Sequence, residues 1–569
     1  MAQRFVKHLD VSVVSVMSGE ALSASRMASA VVLGAMLLGA ATLIGLYDQR
    51  LVNPDTIQLI NAAGHLLAGE GFSSSIIFYE SQLQFGRVPA PLTVWPPGFS
   101  WLLLLPMKLG LSGEATAFAL CTIGHLTTTW LVFVVARRFA GPWIAAVASI
   151  AWLLHAIALM MVLALYAEPI FIAFMVASYV ALIQAGKQSD WSVRWLLVSA
   201  AAAACSILMR YSGVLWPAAV GVWLCLAAVR GRSWQPIRAA FIFGALPALT
   251  TAALFARNFV LTGHFSGGQF EYGGAGPVVA VVRHLLWDAN LVLGRTLRLS
   301  PIVLVLVLGT LLVATIVAAR SARASQSHRA AMGLAISSIV VLVAFLVGNA
   351  IETSIVFLDY RYWLPALPFL AILLSAIAHD AVVAMRARPA LSNAIWPATI
   401  VASCAILAVS VLAELPNRWP IRTAHPTVAV VEQGLAQRMR DGRTLGETLA
   451  ASADAGKLLL SDLEHRLSAQ TGRAVVGLID ARYTARVWTT DEVKRLVQQL
   501  GIEQVVFFPP GFEPKRRENV NRPFWNELLA GQVPPWLRPR YVSDRVAVYD
   551  VVESKPRQHD GTARPTATT

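Results

Sequence analysis

Two carboxylates and three arginines are the side chains of this 569-residue sequence whose types and settings could do chemistry. Asp55 follows Asn53-Pro54 just beyond the first apolar run, where a helix could start with Asp55 as its N-cap. A carboxylate at a membrane boundary is also a candidate reaction centre. Glu168, in Y-A-E-P, lies between two apolar runs and precedes a proline that suits the first turn of a helix. It could compensate a helix dipole, or face the same cavity as Asp55 and position substrate or a divalent cation. Arg210 in M-R-Y-S-G, Arg257 in A-R-N-F-V-L-T-G and Arg361 in D-Y-R-Y-W-L-P map to the same boundary. Singly an arginine there can snorkel. Three together suit a phosphate group, which guanidinium binds through paired, charge-assisted hydrogen bonds. Tyr362 beside Arg361, and Glu80 and Arg87 in the polar stretch after Asp55, are further candidates to touch substrate.

The elements that must hold these residues are membrane spans. Hydrophobic residues make up 56% of the chain and charged residues 14%, against roughly 25% charged in soluble domains. Apolar runs near the ~20-residue length of a span recur from Ala28 to Leu412. Expected spans cover 28–47, 115–136, 143–163, 168–186, 195–209, 213–229, 239–256, 301–319, 331–350, 363–380 and 394–413. The run Phe99 to Leu111 is too short to cross and reads as a re-entrant or interfacial helix.

The net charge of +14 does not indicate nucleic-acid binding once it is divided by position. With the N-terminus cytoplasmic, 15 of the 24 basic residues before Glu414 fall on the cytoplasmic side and 9 outside, the bias that orients membrane proteins. Asp55, Glu168 and the three arginines are then outside. Cys121, Cys205, Cys225 and Cys404 all lie in apolar runs without metal-like spacing, and read as small buried residues.

After Leu412 the pattern changes. Short apolar runs at 457–462, 474–479, 504–508 and 546–551 alternate with helical stretches such as 490–500, which implies an α/β domain over 414–552. It lacks a G-x-G-x-x-G turn. Residues 553–569 are polar and rich in Thr and Pro, the composition of a disordered tail.

Taken in order, the run D-x-x-x-L-x-x-A-x-x-L-x-x-G-x-G-F from Asp55, then P-L-T-V-W-P-P-G-F, Y-A-E-P, R-Y-S-G, R-N-F-V-L-T-G and D-Y-R-Y-W-L-P-A-L-P resembles the polyprenyl-phosphate-sugar glycosyltransferases of the GT-C superfamily. The branch it is most similar to holds protein O-mannosyltransferases, lipid A aminoarabinose transferases and rhizobial lipopolysaccharide transferases. One departure is Leu59, where many relatives carry tyrosine. The resemblance implies a polytopic α-helical membrane protein, GT-C-like, with about eleven to thirteen transmembrane helices and a C-terminal extracytoplasmic α/β domain. Residues 1–413 would form the transmembrane catalytic domain, with 48–97 its first outer loop. It implies an inverting transfer of sugar from a polyprenyl-phosphate donor to an extracytoplasmic glycan, lipid or protein, with Asp55 as general base. Glu168 would be the second catalytic carboxylate, and Arg210, Arg257, Arg361, Tyr362, Glu80 and Arg87 would contact substrate. No cofactor is required by the sequence; a divalent cation, if used, would sit on Asp55 and Glu168. The expected location is a bacterial inner membrane, and the partners are the lipid-linked donor, the acceptor and the bilayer. A transporter or flippase of lipid-linked sugars would place ionisable residues near mid-span, whereas these lie at boundaries. A non-catalytic envelope assembly subunit is the remaining alternative.

Overall fold

The computed structural model describes residues 19–47, 53–186, 191–265, 267, 333–334, 336–341, 360–386 and 457–552, apart from 482–483, 485, 510–518 and 544–545. The chain divides into two compact units. The first takes 1–56, 95–257 and 274–418, and the second 57–94, 258–273 and 419–569.

The first unit is helical. In chain order it contains α1 (Gly19–Leu46), the start of α2 (Pro54–Leu67), α4 (Gly98–Lys108), α5 (Gly113–Phe139), α6 (Pro142–Leu153), α7 (Ala156–Leu163), α8 (Glu168–Ala185), α9 (Val193–Met209), a 3₁₀ turn (Tyr211–Val214), α10 (Leu215–Gly231), most of α11 (Gln235–Thr262) and α12 (Leu367–Arg386). Among the described residues five helices are long and apolar enough to cross a membrane, or six if α6 and α7, bent by 50° at their junction, form one span. The expected spans at 28–47, 115–136, 143–163, 168–186, 213–229 and 239–256 correspond to these. Those at 301–319 and 394–413, and most of 331–350, lie outside the described residues, as does the tail 553–569. Helix α4 has 11 residues and reaches about 16 Å at 1.5 Å per residue, half of a ~30 Å hydrocarbon core, in line with the expected short helix.

Lipid tails are as apolar as leucine, so these helices associate through close packing and interhelical hydrogen bonds. Gly124 of α5 lets α8 approach so closely that a Cβ there would lie 2.6 Å from the Ile170 nitrogen. Ser178 of α8 and Ser199 of α9 each donate to the other's carbonyl at 2.8 Å, and the Trp216 indole of α10 donates to the Ser178 hydroxyl at 2.8 Å.

The second unit is an α/β sandwich on a six-stranded sheet of order β2-β5-β4-β6-β8-β7. Its strands are β2 (Ile76–Ile77), β4 (Leu459–Ser461), β5 (Val475–Gly477), β6 (Gln504–Phe507), β7 (Leu537–Val542) and β8 (Ala547–Val551). The strands β2, β5, β4 and β6 pair in parallel, and β8 is antiparallel to both of its neighbours, β6 and β7. Both faces are covered, so the strands read as continuous apolar runs whose alternate residues serve two cores. Leu460, Val476, Val505, Phe507 and Tyr549 pack on one side with Trp488, Trp525 and the helix α14 (Thr490–Leu500). Leu459, Val475, Val506 and Val548 pack on the other with Leu467 of α13 (Glu464–Thr471).

The sequence-derived boundaries shift in one respect. Residues 57–94, expected as an outer loop of the membrane domain, group with the α/β unit and give it strand β2, whose Ile76 and Ile77 pair with Val475 and Val476. The same stretch forms a two-stranded ribbon from β1 (Ser73–Ser74) and β3 (Ala90–Pro91), and the short helix α3 (Glu80–Leu83). Two-residue strands leave no periodicity to read.

Candidate active site

The local fold around Asp55 begins with a cap. Asn53, not Asp55, terminates α2: its Oδ1 accepts the Thr56 backbone N–H at 3.0 Å, Pro54 is the first helical residue and Asp55 the second. The expected capping use of Asp55 is therefore taken by Asn53, since Asn ranks with Asp at this position and Pro suits the first helical residue. Asp55 is half-buried, and its charge in the first turn is favoured by the helix dipole.

The same cap ties α2 to the turn before Glu168. Asn53 donates to the Ala164 carbonyl from its backbone at 3.1 Å and its amide at 2.7 Å, and Thr56 donates its hydroxyl to the Leu165 carbonyl at 2.5 Å. From α5, the Cys121 thiol takes the Tyr166 carbonyl at 3.0 Å. Three successive carbonyls are thereby held by three side chains. Leu165 itself has φ +62°, a left-handed conformation that costs a leucine about 1–2 kcal/mol, so the turn keeps it only because its surroundings over-determine it.

Glu168 opens α8 directly after this turn, with its side chain 3% exposed. Arg210 Nη1 lies 3.0 Å from Glu168 Oε1. The approach is off the N–H axis, so the pair is ionic and neither carboxylate oxygen receives an aligned hydrogen bond among the described residues. Arg210 is the extended residue that joins α9 to the 3₁₀ turn, and its guanidinium carbon sits 5.2 Å from the centre of the Trp95 ring. A buried pair of this kind is a poor source of stability, because desolvation offsets attraction. It is well suited to meeting further charge.

The remaining sequence candidates divide. Arg257 is half-buried near the end of α11, two residues beyond Phe255, whose ring faces that of Tyr211 at 6.3 Å. Arg361 and Tyr362 lie on a 3₁₀ turn (Tyr360–Ala366), and their side chains are outside the described residues. Glu80 and Arg87 belong to the α/β unit. There Glu80 accepts the Thr484 hydroxyl at 3.1 Å and lies 3.6 Å from Arg486, while Arg87 is exposed. Asn53, Thr56 and Trp95 were not singled out by sequence. Asn-Pro before an acidic first turn is a legible cap signal; the Trp95 contact with Arg210 has no local signal.

Residues 94–256, which include Trp95, Glu168 and Arg210, match the family model of dolichyl-phosphate-mannose-protein mannosyltransferases. The chain is similar in structure to ArnT from Cupriavidus metallidurans bound to undecaprenyl phosphate, with 16% identity, 93% of this chain and 99% of that one covered, and a TM-score of 0.51. The apo form of ArnT gives 15% identity, 92% and 99% coverage and a TM-score of 0.52. The protein has the GT-C fold. A fainter likeness is to the oligosaccharyltransferase AglB from Archaeoglobus fulgidus, at 11% identity, 84% and 69% coverage and a TM-score of 0.44. No curated protein matches the sequence. In this GT-C fold the family match holds the ion pair, and Asp55 and Arg257 fall outside it.

Proposed function

We propose that this membrane protein transfers a sugar from a polyprenyl-phosphate donor to an extracytoplasmic acceptor hydroxyl, with inversion. The observation that carries the reading is the buried Glu168–Arg210 pair, set beside a turn whose carbonyls are held by the cap of the Asp55 helix. The acceptor oxygen forms the bond to the anomeric carbon while the bond from that carbon to the phosphate oxygen breaks. The hydroxyl proton passes to Asp55. Arg210, with Arg257 at the same expected span boundary, offers positive charge to the departing phosphate. The undecaprenyl phosphate named with ArnT is a lipid of the proposed donor class. Apolar spans suit such a lipid, since its tail can stay in hydrocarbon while only the phosphate-sugar meets polar groups.

A divalent cation would take oxygens of Asp55 and Glu168. Among the described residues no group of three or more His, Cys, Asp or Glu is gathered to hold one, and the steps above use the chain's own residues. The excess of Lys and Arg on one set of loops supports a cytoplasmic N-terminus and, with it, a reaction on the outer face of the membrane, which we take to be a bacterial inner membrane.

The test is transfer in proteoliposomes with a panel of undecaprenyl-phosphate sugars, alongside glycan mass spectrometry of wild-type and deletion cells to name the sugar and acceptor. Loss of one envelope sugar on deletion, restored by wild-type protein and not by Asp55→Asn, is expected. Normal turnover by folded Asp55→Asn protein would remove Asp55 as the base. Lipid flipping without any sugar transfer would favour the transporter alternative.

A further inference from the structure

Two motifs more than a hundred residues apart in the sequence, W-P-P-G from Trp95 and R-Y-S-G from Arg210, close on one another around the last turn of α9. A Cβ on Gly98 would lie 2.5 Å from the Leu208 carbonyl oxygen and 2.4 Å from the Met209 methyl carbon. On Gly213 it would lie 2.7 Å from the Ser206 carbonyl and from the Ile207 nitrogen. Both glycines are thus bare because the backbone of residues 206–209 occupies the space. Arg210 follows directly, with its N–H donated to Ser206 at 3.1 Å and its carbonyl accepting the Gly213 N–H at 2.8 Å. The main chain at Arg210 is held from both sides.

The side chain is placed instead by two contacts, with Glu168 and with the Trp95 ring. A guanidinium on a flexible stem beside a buried carboxylate would gain most by turning its fork fully onto Glu168, which would neutralise the charge wanted for a phosphate. Here it meets Glu168 through Nη1 off-axis, and its central carbon sits over the Trp95 ring. An aromatic face attracts the cation electrostatically and leaves the in-plane N–H groups directed outward, where an anion can take them. We propose that Trp95 is a positioning residue that fixes where the Arg210 guanidinium stands beside Glu168, so that its remaining N–H groups can meet the donor phosphate. This rests on Arg210 meeting that phosphate. Trp95 therefore acts on donor affinity and not on proton transfer, which belongs to Asp55.

The experiment uses the full-length protein in nanodiscs, with undecaprenyl phosphate as the probe, read by concentration-dependent thermal shift and by competition in the transfer assay. Trp95→Leu is expected to weaken undecaprenyl phosphate binding about tenfold and raise donor KM by a similar factor, with kcat within about twofold, as loss of a desolvated cation–π contact predicts. Trp95→Phe and Trp95→Tyr, which keep a π face and guard against a folding defect, should stay within about threefold of wild type. In an Arg210→Lys background, where no planar group remains to stack, Trp95→Leu should add less than about twofold. Undiminished binding by Trp95→Leu, with Arg210→Ala binding weakly, overturns the positioning role alone. Equal losses in Trp95→Phe and Trp95→Leu, or full additivity with Arg210→Lys, also overturn it. Undiminished binding by Arg210→Ala removes the phosphate reading of Arg210, and the role of Trp95 with it.

Discussion

Asp55 does not cap its own helix, because a neighbour does so. Asn53 satisfies the helix start and also binds the turn before Glu168, so one residue both takes the capping role from Asp55 and sets its surroundings. Asp55→Asn, isosteric and not needed for the cap, is expected to keep the melting temperature within a few degrees and to lower transfer at least about a hundredfold, measured on purified protein. Glu168 and Arg210 should behave differently. Removing one partner of a buried pair strands the other charge, and Arg210→Ala should destabilise by about 3–5 kcal/mol, whereas Glu168→Gln with Arg210 intact tests the carboxylate at near-constant volume. Thermal unfolding of both variants, with and without undecaprenyl phosphate, checks this. In the α/β unit, burial pushes the Asp462 carboxyl up to about 7, with Glu464 adding to the rise, while the Phe508 N–H bond at 3.0 Å and the Arg522 charge oppose it. The native state then holds a proton that the unfolded chain releases above about pH 4, so this group lowers stability as pH rises from about 4 to 7, by at most about 4 kcal/mol. Asp462→Asn keeps the acceptor for Phe508 and should raise the unfolding temperature at pH 8 while leaving it nearly unchanged at pH 4.

At the scale of elements, glycine positions decide how near the helices come. Gly124 brings the backbones of α5 and α8 together at Ile170, beside the first turn that carries Glu168. Gly124→Ala must push them apart and is expected to cost about 1–3 kcal/mol, as overpacking does, and to lower transfer even though residue 124 has no reacting atom. A thermal melt paired with kinetics reads both effects. Long elements were legible from the sequence. Helix α14 shows Val493, Leu496 and Val497 at helical spacing between a Thr489 cap and Gly501 in a left-handed turn, and it covers 490–500 as expected. Strands β4, β5, β6 and β8 stand within the four apolar runs singled out for them. The strand β2, the ribbon of β1 with β3 and the break between α6 and α7 were not legible, because two residues carry no period and a bend depends on what packs against it.

At the scale of the whole molecule, the basic clusters predict that the α/β unit faces away from the cytoplasm. A Val520→Cys protein in a background without Cys121, Cys205, Cys225 and Cys404 should react with a membrane-impermeant maleimide in intact spheroplasts, since Val520 is 62% exposed. Labelling only after lysis would reverse the orientation. The sequence by itself determined that the chain is a multi-span membrane protein with a terminal α/β region, and it marked Asp55, Glu168 and Arg210 as charges at span boundaries. Hydropathy, charge sidedness and helix period are sums over neighbouring residues, so they survive without coordinates. Only the tertiary structure decided that Asn53 caps in place of Asp55, that Glu168 is buried against Arg210, that Trp95 lies on that guanidinium, and that the stretch 57–94 lends a strand to the C-terminal sheet. Each of those joins residues distant in sequence through hydrogen bonds, ring faces or close backbone contacts. Such contacts act over a few ångströms and depend on how distant segments pack, which no local pattern records.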